Sequence, residues 1–189
     1  MKTAFIVFEG MTALDFVGFY DPLTRLATMK LVDDFQWRIC SLMPRVADDR
    51  GLRIEADSLA EPLDCYDLVF VPGGFGTRSL QHDRDFVAWL KTAGPAPLKV
   101  SVCTGALLLG AAGFLRGRRA TTHPNAYREL RAYCGEVVEE RVVDEGDVVT
   151  ARGVSSAIDL GLHVVERIAG ADARARIAAQ MDYPYRWAP

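Results

Sequence analysis

The run "VSVCTGALLLG", residues 100–110, places a cysteine, Cys103, between two apolar segments. The β-branched residues before it predict a buried strand and the leucines after it a buried helix. A sharp strand-to-helix turn holds a nucleophile up and exposed, as the elbow of hydrolases does. Gly105 supplies the small residue such a turn needs two places on. At a helix N-terminus the macrodipole favours negative charge, and such settings bring a thiol from about 8.5 down to roughly 3.5–7.5. The ordinary role of a free cysteine is small buried packing. Position and flanking sequence favour a reactive thiol at Cys103. Cys40, Cys65 and Cys134 show neither that setting nor CxxC or zinc-like spacing, and read as packing or bystander thiols.

Thiol chemistry with acid–base assistance needs a proton carrier. Three histidines are available. His163 falls in an apolar helical stretch and reads as structural, and His82 opens a polar turn and reads as exposed. His123, in "ATTHPN", follows a strand-like piece and is a candidate for the site. Asp15, in "MTALDF", lies just past an apolar strand where a helix begins. Its ordinary role there is an N-cap. In a closed apolar pocket beside a thiol, a carboxylate is instead raised in pKa and exchanges a proton with it. "VPGGFGT" at 71–77 offers backbone N–H groups from Gly73 and Gly74 to a developing negative charge. It is not a dinucleotide fingerprint, since it lacks the third glycine and the helical continuation.

These residues need elements to position them. The periodicity predicts strands at 3–8, 35–42, 66–74 and 98–102, with a short edge piece at 52–56. It predicts helices at 14–29, 84–93, 104–114 and 124–133, the last with Pro124 in its first turn. "EVVEERVVDEGDVVTARG" reads as two strands around a turn at Gly146, and two helical pieces, 156–170 and 172–181, close the chain. Strands alternating with helices imply an α/β sandwich with a mostly parallel sheet covered on both faces. Ligands in such sheets gather beyond the carboxyl ends of the strands, where Glu9–Asp15, Gly73–Gly76 and Cys103 all fall.

At 189 residues, half of them apolar, the chain is expected to fold as one domain, 1–189. A net charge of −3 argues against a nucleic-acid partner. The basic cluster "RGRRA" at 116–120 is too short to change that and reads as a solvated turn. The N-terminal apolar run is cut off by Glu9, and the uncharged stretch 100–115 is too short to span a bilayer. No membrane association is expected, and a cytoplasmic protein with reduced thiols fits.

Four segments together resemble the ThiJ/PfpI superfamily, whose fold is that of class I glutamine amidotransferases: "IVFEGMTALDFVG", "VFVPGGFG", "SVCTGALLLGAAGFLRGRRATTH" and "GVSSAIDLGLHVVE". Within it the pattern is most similar to the isocyanide hydratase branch. The resemblance implies a flavodoxin-like sandwich, a homodimer, and cofactor-independent hydration of a small isocyanide to an N-substituted formamide through a thioimidate. It implies Cys103 as nucleophile, Asp15 as general acid/base and Thr104 bonded near both, with Gly73, Gly74, His123 and Val154 on the substrate and oxyanion side. The protease-like and deglycase-like branches place histidine directly after the cysteine, and Thr104 stands there instead. Phe19, Arg152 and Pro124 depart from the branch's pattern, which bears on the shape of the pocket. The alternative is a redox sensor or stress protein in which Cys103 is oxidised and does not turn over. A ligand-sensing domain of an AraC-type regulator is disfavoured on length.

Overall fold

The computed structural model describes residues 1–184. In chain order its elements are β1 (Lys2–Ile6), α1 (Ala13–Thr28), β2 (Gln36–Ser41), β3 (Arg45–Ala47), β4 (Arg53–Glu55), β5 (Ser58–Leu59), β6 (Leu68–Val71), α2 (Thr77–Leu80), α3 (Arg84–Lys91), β7 (Leu98–Val102), α4 (Gly105–Ala111), β8 (Arg119–Ala120), α5 (Tyr127–Leu130), β9 (Glu136–Val137), β10 (Val142–Asp144), β11 (Val148–Ala151) and α6 (Ser156–Gln180). A seven-stranded sheet runs β10-β11-β7-β6-β1-β2-β5. Its strands are parallel except for β10, which returns antiparallel at the edge. β6 and β7 are buried at every residue, as continuous apolar strands in a sheet covered on both faces must be.

The chain leaves β1 toward β2 on one side and leaves β6 toward β7 on the other. Right-handed crossovers then put α1 on one face of the sheet and α3 and α4 on the opposite one. α6 packs against α1. Their contact is close because glycines line it: a Cβ on Gly18 would stand 2.8 Å from that of Ala157, and one on Gly161 would enter the Pro22 ring. Phe19, on the sheet side of α1, stacks on Phe70 with ring centroids 4.0 Å apart.

Several predicted elements change on folding. The helix expected at 124–133 is a 3₁₀ turn, Pro124–Ala126, followed by the short α5. The edge piece at 52–56 is β4, which pairs with β3 in a separate two-stranded sheet. A helical turn, α2, does follow Gly76, contrary to expectation. The closing pieces join into α6, bent at Gly170, whose φ of +86° breaks the helix where the sequence reading divides it. In the basic cluster, Arg118 pairs with Asp147 and Arg119 with Glu140 on the acidic hairpin side. Among the described residues no helix is long and apolar enough to cross a membrane.

Candidate active site

The strand order reverses between the parallel neighbours β1 and β6, which opens a crevice at their carboxyl ends, and the segments leaving β1, β6 and β7 meet there. Thr12 caps α1 by position, without a side-chain capping bond, so Asp15 is not the N-cap that its place in sequence suggests. It sits in the first turn of α1, fully buried, with its carboxylate turned toward the segment after β6. There Gly73 N–H donates to Asp15 Oδ2 at 2.9 Å. Gly74 N–H donates to Thr104 Oγ1 at 3.0 Å, and that hydroxyl lies 3.1 Å from Gly74 O, to which it donates. A Cβ on Gly73 would lie 2.6 Å from Thr104 N and 2.8 Å from both Asp15 Oδ2 and Cys103 Cβ. Three segments therefore meet around a position that only glycine can fill.

Cys103 forms the elbow. Its φ of +55° is left-handed, a strain of about 1–3 kcal/mol for a residue other than glycine. Parallel pairing of β7 with β11 aligns Val102 with Ala151, which lets Cys103 N–H donate to Ala151 O at 3.0 Å and Arg152 O at 2.6 Å. Beyond the elbow, Gly105 packs against the Val71 and Pro72 carbonyls, where any side chain would collide with backbone.

The thiol interacts with the Asp15 carboxylate and with the Thr104 N–H and hydroxyl. Burial pushes the thiol up to about 12, the Asp15 charge adds to this, and the Thr104 N–H pulls the other way. The depressed thiol expected from a helix N-terminus is thus overturned. The side chain is only 5% exposed, and α4 offers just seven residues of helix against that desolvation. Asp15 is raised to about 7, again by burial first, opposed by Gly73 N–H and the thiol, with the Asp49 charge raising it further. Its Oδ1 is buried with no hydrogen-bond partner among the described residues. At neutral pH the pair therefore holds a protonated thiol beside a carboxyl group poised between its two states.

A cavity of about 220 Å³ opens over the thiol, lined in part by Gly74, Cys103, Thr104, His123 and Val154. Asp15 and Gly73 are not among the lining residues. The sequence reading missed the other side: Thr12, Asp49, Arg50, Phe75, Arg78 and Asn125 complete the lining. Asp49 reaches it because its N–H donates to Met11 O at 2.9 Å, a tertiary contact with no local signal. Arg50 pairs with Asp49 at 2.7 Å and Arg78 with Glu129 at 3.2 Å. Phe75 is 80% exposed at the rim.

One expectation is corrected. The Gly73 and Gly74 N–H groups are not open to an oxyanion; they hold Asp15 and Thr104. His123 lines the cavity as expected; its Nδ1 accepts Asn125 N–H at 3.2 Å, and among the described residues no hydrogen bond joins it to Cys103 or Asp15. His82 is exposed, and His163 Nε2 lies 2.7 Å from Asp144 Oδ2, as their settings predict. No group of three His, Cys, Asp or Glu residues among those described converges to hold a metal ion.

This elbow on a flavodoxin-like α/β sandwich defines a class, and the chain belongs to the DJ-1/PfpI family, whose model matches residues 1–167. It is 34% identical over 185 residues to the isonitrile hydratase of Pseudomonas putida, covering 97% of this chain and 78% of that protein. A solved ThiJ/PfpI family protein from Pseudomonas syringae superposes with a TM-score of 0.85 at 27% identity, covering 98% of this chain and 76% of the other. The oxidized DJ-1 of Toxoplasma gondii superposes with a TM-score of 0.81 at 26% identity, covering 97% and 99%.

Proposed function

We propose that the protein hydrates isocyanides to N-substituted formamides without a cofactor, with Cys103 as nucleophile and Asp15 as proton carrier. The observation that carries this reading is the buried Cys103–Asp15 contact, with Thr104 in place of a neighbouring imidazole. The terminal carbon of an isocyanide accepts a nucleophile and a proton at the same atom. The thiol sulfur bonds to that carbon while its proton passes through Asp15 to the carbon, giving the thioimidate R–N=CH–S–Cys103. Water then adds to the C=N carbon, losing a proton to Asp15, which passes it to the nitrogen. Collapse breaks the C–S bond, releases R–NH–CHO and carries the remaining hydroxyl proton through Asp15 to sulfur. The sum is one isocyanide plus one water, with nothing oxidised or reduced.

The similarity to a protein named isonitrile hydratase supports the reading. The sensor alternative draws less support, because a thiol that is nearly buried and raised in pKa lacks the thiolate character of a redox sensor. The proposal extends to one domain, a homodimer and a cytoplasmic location. Leu14 and Val17, exposed on α1, support a paired surface there. The test is formamide production from cyclohexyl isocyanide: many turnovers per chain in wild type and none in Cys103→Ala. One-time oxidation of Cys103 with no turnover would favour the sensor.

A further inference from the structure

We infer that Thr122 is the positioning residue of the nucleophile: its hydroxyl, by holding the Cys103 carbonyl, keeps the thiol in the left-handed turn that brings it to Asp15. This rests on the reading of Cys103 as the nucleophile. A non-glycine residue stays left-handed only where its surroundings over-determine it. At Cys103 three hydrogen bonds do so. Two run from its N–H to the backbone carbonyls of Ala151 and Arg152, at 3.0 and 2.6 Å, and are insensitive to side-chain identity. The third runs from Thr122 Oγ1 to Cys103 O at 2.7 Å and depends on one hydroxyl.

That hydroxyl is itself held in place. Thr121 and Thr122 are fully buried, and Thr121 N–H donates to Thr150 Oγ1 at 2.9 Å, tying the segment to β11. Without the hydroxyl, the Cys103 carbonyl would be a buried acceptor with no donor and no solvent to replace it. The turn would then relax toward negative φ and swing the thiol from the carboxylate. Thr122 does not line the cavity, so its loss removes no contact with a bound substrate.

The experiment compares the isosteric Thr122→Val with Thr122→Ser, which keeps the hydroxyl. The expected result for Thr122→Val is a kcat lower by about 10–100-fold with KM within about threefold, as for a displaced reacting group. Thr122→Ser should stay within about threefold of wild type on both constants. A second readout needs no isocyanide: the rate at which iodoacetamide alkylates Cys103, followed by mass spectrometry across pH. The titratable and charged groups facing the thiol are Asp15 from α1, Asp49 and Arg50 from the β3–β4 turn, Arg78 from α2 and His123. Wild type and Thr122→Ser should share an inflection near neutral pH, set by Asp15, that Thr122→Val loses. If Val does not fold at this site, Thr122→Ala against Thr122→Ser isolates the same hydroxyl.

A Thr122→Val protein with unchanged kcat and alkylation profile would overturn the inference. Equal impairment of the Val and Ser variants would also overturn it, since that marks a packing role. If no protein turned over isocyanides but the alkylation profiles still separated, the positioning role would stand and the hydratase reading would fall.

Discussion

The backbone N–H of Gly73 donates to Asp15 Oδ2 at 2.9 Å, so the turn after β6 fixes the orientation of a carboxylate borne on α1. One hydrogen bond does not offset complete burial, and Asp15 moves from 3.8 to about 7. Between those values the folded chain binds more protons than the unfolded one. Stability therefore falls as pH rises from about 4 to 7 and stays reduced above that. At 1.36 kcal/mol per pKa unit the full deficit is on the order of 4 kcal/mol. Asp15→Asn removes it. Denaturant midpoints should show the variant more stable than wild type by a few kcal/mol at pH 8 and nearly equal at pH 4. Parallel stability curves would contradict the burial argument. The same variant should lose about 10²–10⁴ in turnover.

The pH dependence of catalysis follows from the same pair. Asp15 accepts the thiol proton only as a carboxylate, so kcat/KM should fall about tenfold per pH unit below its pKa of about 7. Above that it should stay level to pH 9, because the thiol loses its proton to water only near 12. A profile measured from pH 5 to 9 checks this. A single rise near 8.5, the value of a free thiol, would mean that Cys103 ionises without Asp15.

Gly73→Ala tests the crowding at the centre. The added methyl would stand 2.6 Å from Thr104 N and 2.8 Å from Asp15 Oδ2, and neither is the free end of a flexible chain. Overpacking of this kind costs about 1–3 kcal/mol. Because it parts the reacting groups, kcat is expected to fall by about 10²-fold or more. Thermal melts and single-turnover rates measured on the same preparation would separate the two effects.

Gly161→Ala reaches the site from a distance. Its methyl would enter the Pro22 ring and push α1, which carries Asp15, off α6. Overpacking of about 1–3 kcal/mol opposes the gain of up to about 1 kcal/mol in helix propensity. A modest net loss of stability is expected, with kcat lowered several-fold and KM nearly unchanged. Unchanged kcat would show that the α1–α6 contact does not set the position of Asp15.

The sandwich was legible because its central strands are continuous apolar runs and its long helices carry the right period. The strand-to-helix turn at Cys103 was legible because a thiol between a β-branched run and Gly105 has few structural uses. Strands of two or three residues, such as β5, β8 and β9, are too short to show a period. The helix expected at 124–133 gave way because His123 caps a 3₁₀ turn at Asn125 before α5 begins. The proton affinity of Cys103 was misjudged for a different reason. The helix-terminus argument is local, whereas the opposing terms are burial and a carboxylate from position 15, which the strand order supplies. Asp49 and Arg50 enter the cavity through a backbone contact with Met11, and nothing in their neighbours announces it.

The seclusion of the Cys103–Asp15 pair has a chemical consequence of its own. A sulfur that gives up its proton only to a neighbour in the same closed space is a poor target for electrophiles that offer that proton no destination. On the proposed chemistry, a molecule must take sulfur and hydrogen together at one carbon to be converted. The pocket would then sort compounds by the reactivity of an atom as well as by shape, and ordinary alkylating agents would modify Cys103 only slowly, at a rate the Asp15 carboxylate sets.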